Sequence, residues 1–155
     1  MASALYPTGK KKAVDNDLDI QAGAAIKNML VQSTYTYVAT HEFIDSVVAN
    51  DPNEEEVTAT GYVGGFAGAD RLVPAARTTT VSGAIVEFKF TSPVWSSIGN
   101  GTNETVGGVI LVNEVTSDLL SPVICFDELV GNVTTNGGDL TYNPNDIADD
   151  KMLDW

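Results

Sequence analysis

The side chains that most often do chemistry are scarce in this 155-residue chain, which has one histidine, His41, and one cysteine, Cys125. A catalytic thiol needs a base beside it, and nothing in the sequence places His41 next to Cys125. Cys125 lies in an apolar, strand-like run, which predicts a buried thiol. His41 is followed by Glu42, but adjacent residues on a helix point about 100° apart and do not form one site unaided. Because the chain has no second histidine and no second cysteine, the usual zinc-ligand sets of these residues are not present in the sequence.

Carboxylates are the remaining candidates for chemistry. The segment Asp15-x-Asp17-x-Asp19 resembles the start of an EF-hand calcium loop. That loop needs glycine at its sixth position and glutamate at its twelfth, where this chain has Ile20 and Ile26. A looser surface cation site stays open, as does a glycosidase pair, because in so acidic a chain spacing selects no pair. We predict no catalytic residue, no metal and no cofactor, and hence a protein that is not an enzyme.

The charge of the chain constrains its partners. It has 21 acidic and 8 basic residues and a formal net charge of -13. Phosphate binding needs clustered lysine and arginine, so we predict no nucleic-acid partner, and an anionic membrane surface is disfavoured for the same reason. The one basic run is Lys10-Lys11-Lys12, which is either a solvated segment or a contact to an acidic neighbouring subunit.

The elements that must position any site are mostly strands. The length is that of one domain, and many short apolar or alternating runs are divided by glycine, proline and asparagine turns. Ala84 to Phe90 alternates cleanly, and Val106 to Asn113 is apolar enough to be buried on both faces. One short helix is expected around residues 40–48, where apolar residues follow a helical spacing. Val57 to Val63 alternates and predicts a further strand.

The pattern predicts an all-β fold, a jelly-roll-like β-sandwich with one short helix and extended terminal arms. We expect an N-terminal arm at residues 1–19, a sandwich domain at 20–144 and an acidic C-terminal arm at 145–155. The first residues, Met1 to Pro7, do not have the pattern of a signal peptide, so we expect none there, and no apolar run is long enough to span a membrane.

The order of segments over roughly residues 20 to 145 resembles a family of small structural proteins encoded by tailed bacteriophages. The most specific part is Tyr35-Thr36-x-x-Ala39-Thr40-His41-Glu42-Phe43, followed by the turn Gly137-Gly138-Asp139. The other segments that carry the resemblance are Ala25 to Val31, Gly61-Tyr62, Phe90 to Trp95, Gly107 to Val112 and Ser121 to Ile124. The chain departs from the family pattern at both ends. The resemblance implies a virion component and carries over no catalytic residue.

From this resemblance and the acidic β-rich composition, we expect a bacteriophage capsid decoration, or cement, protein on the outer capsid surface. Its partner would be the major capsid protein, and we expect a homo-oligomer, a dimer or a trimer, as on other repeated lattices. The terminal arms would make the contacts, with aromatic and basic anchors at Tyr6, Lys10, Lys11, Lys12, Leu153 and Trp155. A tail, baseplate or fibre component is the first alternative, and a carbohydrate-binding or hydrolytic β-sandwich is the second.

Overall fold

The computed structural model describes residues 3–15, 17, 19–20, 23–48, 55–82 and 85–143. Across these residues the predicted all-β, sandwich-like class is confirmed. The elements in chain order are β1 (Ser3–Leu5), α1 (Pro7–Val14), β2 (Ile26–Gln32), α2 (Ile44–Val48), β3 (Ala75–Ser82), β4 (Ile85–Thr91), β5 (Val94–Trp95), β6 (Thr105–Asn113), β7 (Val123–Thr134) and β8 (Leu140–Thr141).

Four antiparallel strands form the main sheet, in the order β1-β7-β6-β2. Strand β6 lies between two partners, and every residue from Val106 to Val112 is buried, as its continuous apolar sequence predicts. Gly108 is required there because a Cβ at this position would lie 2.3 Å from the ring of Phe126. The two-stranded sheets β3-β4 and β5-β8 complete the architecture.

Apolar residues cover both faces of the main sheet. One cluster joins Leu30 and Leu111 to Phe88, Phe90 and Trp95, so the smaller sheets pack on that face. The opposite cluster has its own members, which come from the sheet, α2 and the segments around residues 6 and 35: Tyr6, Met29, Val31, Tyr35, Ile44, Ile110, Val112, Val123 and Phe126. The sheet is therefore the middle layer between two separate hydrophobic cores.

The outer edge of β2 is covered by the loop that spans residues 55–72. The backbone N–H of Asn28 donates to Leu72 O at 2.7 Å, and that of Val57 donates to Leu30 O at 3.1 Å. The N–H of Leu30 donates to the hydroxyl of Tyr62 at 3.2 Å. These bonds satisfy an edge that would otherwise offer free donors and acceptors to another chain. They also hold the loop in one position on the sheet.

Two expectations from the sequence are wrong in this structure. The segment 57–63 lies in the loop and is not a strand, although its alternation is real: Val57 and Ala59 are buried, while Thr58 and Thr60 are exposed. The expected N-terminal arm is also replaced over residues 3–14, which form β1 and α1 against β7.

No helix among the described ranges is long and apolar enough to cross a bilayer.

Candidate binding site

The predicted N-terminal anchors do not share one environment. Tyr6 is fully buried, so it packs on its own domain and is not an anchor for a partner. Lys10 and Lys11 are exposed on α1, and Lys12 is half-buried. Lys11 forms an ion pair with Asp15, one helical turn away. Leu153 and Trp155, with the expected arm at 145–155, lie outside the described residues.

Tyr6 directly follows β1 and belongs to an aromatic cluster with Tyr35 and Tyr37. Its hydroxyl is hydrogen-bonded to that of Tyr35, and its ring centroid lies 4.9 Å from that of Tyr37. Tyr37 in turn donates to the Leu5 carbonyl at 2.9 Å, and His41 Nδ1 lies 3.4 Å from the Tyr35 hydroxyl. Burial lowers the pKa of His41 below its ordinary value, which favours the neutral ring. The conspicuous Tyr-Thr-x-x-Ala-Thr-His segment is therefore used to pack the N-terminus onto the domain.

Burial gives the protein a testable response to alkaline pH. It raises the pKa of Tyr35 to about 12, and it also raises the pKa of each other tyrosine: Tyr6, Tyr37, Tyr62 and Tyr142. Unfolded tyrosines ionise near about pH 10, so the folded protein holds protons that the unfolded chain releases. The stability contributed by neutral Tyr35 is therefore fully present below about pH 10 and is lost as the pH rises from 10 to about 12. We expect tyrosinate absorbance to appear together with unfolding, whereas full tyrosinate absorbance near pH 10 in the folded protein would contradict this result.

The most distinctive polar feature of the described structure is a buried arginine held by three carboxylates. Arg71 is 1% exposed. Its Nη2 lies 2.6 Å from Glu56 Oε2, and its Nη1 lies 3.0 Å from Glu114 Oε1 and 2.6 Å from Asp118 Oδ1. Burial alone would lower the pKa of the guanidinium, but its hydrogen bonds to Glu56 and Asp118 raise that pKa overall. Arg71 is therefore a permanent positive charge that joins the loop of residues 55–72 to the loop of residues 114–121.

The carboxylate of Glu56 is saturated with donors. Its Oε1 accepts from Arg71 Nε at 2.9 Å and from the Tyr62 hydroxyl at 3.1 Å. Its Oε2 accepts from Arg71 Nη2 and from the backbone N–H of Gly65 at 3.1 Å. A buried charge is tolerated when it is paired and hydrogen-bonded in this way. Glu56 thus fixes both ends of the turn that follows Tyr62.

Asp118 and Glu114 connect the loop of residues 114–121 to the loop of residues 55–72. Glu114 follows β6 and accepts from the backbone N–H of Ala67 at 3.1 Å. Asp118 accepts from both terminal nitrogens of Arg71, at 2.6 and 3.1 Å. The hydroxyl of Ser121 accepts from the N–H of Val115 at 2.9 Å and closes the loop on itself. The two loops, 63–70 and 114–121, are therefore held rigidly side by side.

An open cleft of about 480 Å³ lies at this junction. It is lined by Glu56, Val57, Thr58, Tyr62, Gly64, Gly65 and Asp118. Glu104 braces one wall, because its carboxylate accepts from the N–H groups of Thr58 at 2.6 Å and of Ala59 at 3.1 Å. The volume of the cleft is in the range of pockets that receive a ligand or a partner's side chain.

Large apolar side chains are exposed in the same two loops. Leu119, which follows the cleft residue Asp118, is 62% exposed, and Phe66, which follows the cleft residue Gly65, is 44% exposed. The others are Val63, Val115 and Leu120. Grouped apolar exposure of this kind marks binding surfaces. We call the cleft with Phe66, Leu119 and Leu120 the loop surface.

Sequence patterns contain little that predicts this site. Neither Arg71 nor Glu56 is among the site residues predicted from the sequence. The one signal is local: Arg71 is followed by Leu72 and Val73 and lies in a segment with few other charges, which is unusual for an exposed cation. Its three partners come from positions 56, 114 and 118, and no spacing rule joins those positions.

The structure also bears on the cysteine and on a metal site. Cys125 is buried, and its pKa is raised by burial and by nearby Asp127, so the thiol is unreactive. In the part of the chain that the structure describes, no three histidine, cysteine, aspartate or glutamate side chains are arranged to hold a metal ion.

No family model, no curated protein and no solved structure matches this chain.

Proposed function

We propose that this chain is a structural protein of a bacteriophage virion, a capsid decoration protein that binds the major capsid protein lattice as a homo-oligomer. The observation that carries the proposal is the loop surface, where exposed apolar side chains are held by a buried ion-pair network on a rigid sheet. A lattice-binding protein needs such a preorganised surface, because ordering loops on binding reduces affinity.

Two further observations support the same proposal. The segment order resembles that of tailed-phage structural proteins, and the net charge of -13 suits the outside of a capsid better than contact with packaged DNA. The contacts are assigned to the loop surface and not to the N-terminal segment, because residues 3–14 pack on β7.

We expect the double substitution Leu119→Ser/Leu120→Ser to weaken binding to capsids by about a hundredfold or more, because each leucine side chain buried at an interface contributes roughly 1.5–3 kcal/mol. Both side chains are more than half exposed, so folding should be unaffected. Binding is measured by co-sedimentation with capsids that lack the protein. Electron cryomicroscopy of the same particles then locates the bound copies.

Val130→Ser is the matched control, because Val130 is 74% exposed on β7, away from the two loops. It should bind as the unaltered protein does. Equal binding by the double variant would rule out the loop surface as the contact. Copies found along the tail or at its tip would overturn the capsid placement in favour of a tail component.

A further inference from the structure

We propose that the cleft of the loop surface receives a basic side chain, an arginine or a lysine, from a partner protein segment whose apolar residues pack on Phe66 and Leu119. This inference rests on the proposed function and names the chemistry of the partner that would be bound.

The charge of the cleft is the first argument. Two carboxylates, those of Glu56 and Asp118, line it, and no lysine or arginine is among its lining residues. In the whole network Arg71 and Lys27, whose Nζ lies 3.8 Å from Glu114, face three carboxylates, so one negative charge is left uncompensated. A cleft with low-dielectric walls concentrates such a field and attracts a cation.

The hydrogen-bonding capacity of the two carboxylates identifies the acceptor. Glu56 already accepts four donors. Asp118 accepts two donors, both from Arg71, and its side chain is 21% exposed. An ionised carboxylate has about four lone-pair positions, so Asp118 has room for a further N–H donor from the cleft side. The incoming cation would thus bind Asp118, with Glu56 contributing to the field.

The walls leave room for the remainder of a long basic side chain. Gly64 and Gly65 line the cleft and have no side chains to fill it, so a methylene stem can lie along them while the charged end reaches Asp118. Phe66 and Leu119 then stand outside the cleft, next in sequence to Gly65 and Asp118. A free amine or guanidine compound would leave these two side chains exposed, so a protein segment is the better occupant.

The test uses nuclear magnetic resonance with short peptides as probes. One has a central arginine flanked by leucines, and the second replaces that arginine with neutral citrulline. We expect the arginine peptide to shift the amide signals of Gly64, Gly65 and Asp118 saturably, at roughly millimolar concentration. The citrulline peptide should bind at least tenfold more weakly.

Variants separate charge from apolar contact. Asp118→Asn and Leu119→Lys should each weaken binding of the arginine peptide by about tenfold, because the first removes the negative charge and the second adds a competing cation. Glu128→Gln removes the same charge from an exposed position on β7 and should have no effect. Unchanged spectra elsewhere in each variant would show that the fold is retained.

The outcomes distinguish this inference from the proposed function. Equal binding of both peptides, or no shift at these amides, would overturn the cation site even if capsids still bind the protein. Equal binding of a free arginine amide and the peptide would overturn the protein segment as occupant. Peptide binding with no capsid binding would support the cation site and contradict the decoration role.

Discussion

Replacing Arg71 with methionine is expected to lower the free energy of unfolding by about 3–5 kcal/mol, because three buried or half-buried carboxylates lose their shared cation. Methionine replaces the aliphatic stem of arginine, so the packing of the stem is largely kept and the main loss is the guanidinium group. Most of the cost comes from Glu56 and Glu114, whose side chains are only 9% and 6% exposed. Urea or guanidinium denaturation of the unaltered protein and of the variant gives the difference directly.

A second variant separates lost charge pairing from lost packing. If uncompensated charge is the cause, adding Glu56→Gln and Glu114→Gln to Arg71→Met should recover part of the stability. The amides no longer carry the charge that was left unpaired. A triple variant no more stable than Arg71→Met would show that packing, not charge, dominates at this position.

Arg77 provides the matched control for the same substitution. It is half-buried and its Nη1 donates to Gly23 O at 2.8 Å. Arg77→Met should therefore cost only about 1.5–3 kcal/mol, the usual contribution of one hydrogen bond from a charged donor. Equal losses at the two positions would contradict a special role for the Arg71 network.

The parts of the fold that could be predicted from the sequence are those with a local pattern. Strand β6 was predictable because seven consecutive buried residues, Val106 to Val112, are a local pattern. The segment at Val57 was misassigned because its alternation reflects burial in a loop that hydrogen-bonds to the edge of β2, and sequence alternation does not report which partner satisfies the backbone. The site itself depends on contacts between distant positions, which local pattern does not encode.

The N-terminal segment was misassigned for a related reason. Its sequence has a proline, a glycine and three lysines close together, a composition common in mobile chain ends. In the structure, however, Ser3 and Leu5 pair with Asp127 and Cys125 of β7, a strand that is distant in sequence. Gly9 permits α1 to approach β7, since a Cβ there would lie 2.6 Å from Ile124 O. Burial of this segment therefore comes from long-range pairing that the local composition does not reveal.

Replacing Tyr6 with alanine tests this packing, and we expect it to lower the free energy of unfolding by about 3–5 kcal/mol, the usual cost of removing a large buried aromatic ring. Tyr6 is 0% exposed, its ring packs on Tyr37, and its hydroxyl is bonded to Tyr35. Tyr6→Phe should cost about 1 kcal/mol, because it keeps the ring and removes one hydrogen bond. Chemical denaturation of both variants measures the two contributions.

Lys10→Ala is the control in the same segment, because Lys10 is exposed on α1, and its effect should stay within about 0.5 kcal/mol. If Tyr6→Ala also stayed within that range, Tyr6 would be a solvent-exposed anchor and the packing on β7 would be wrong. If Tyr6→Ala unfolds the domain, removal of the N-terminal segment would abolish capsid binding through lost folding alone. Truncation would then say nothing about contacts, and the contact surface has to be identified with exposed substitutions such as those at Leu119 and Leu120.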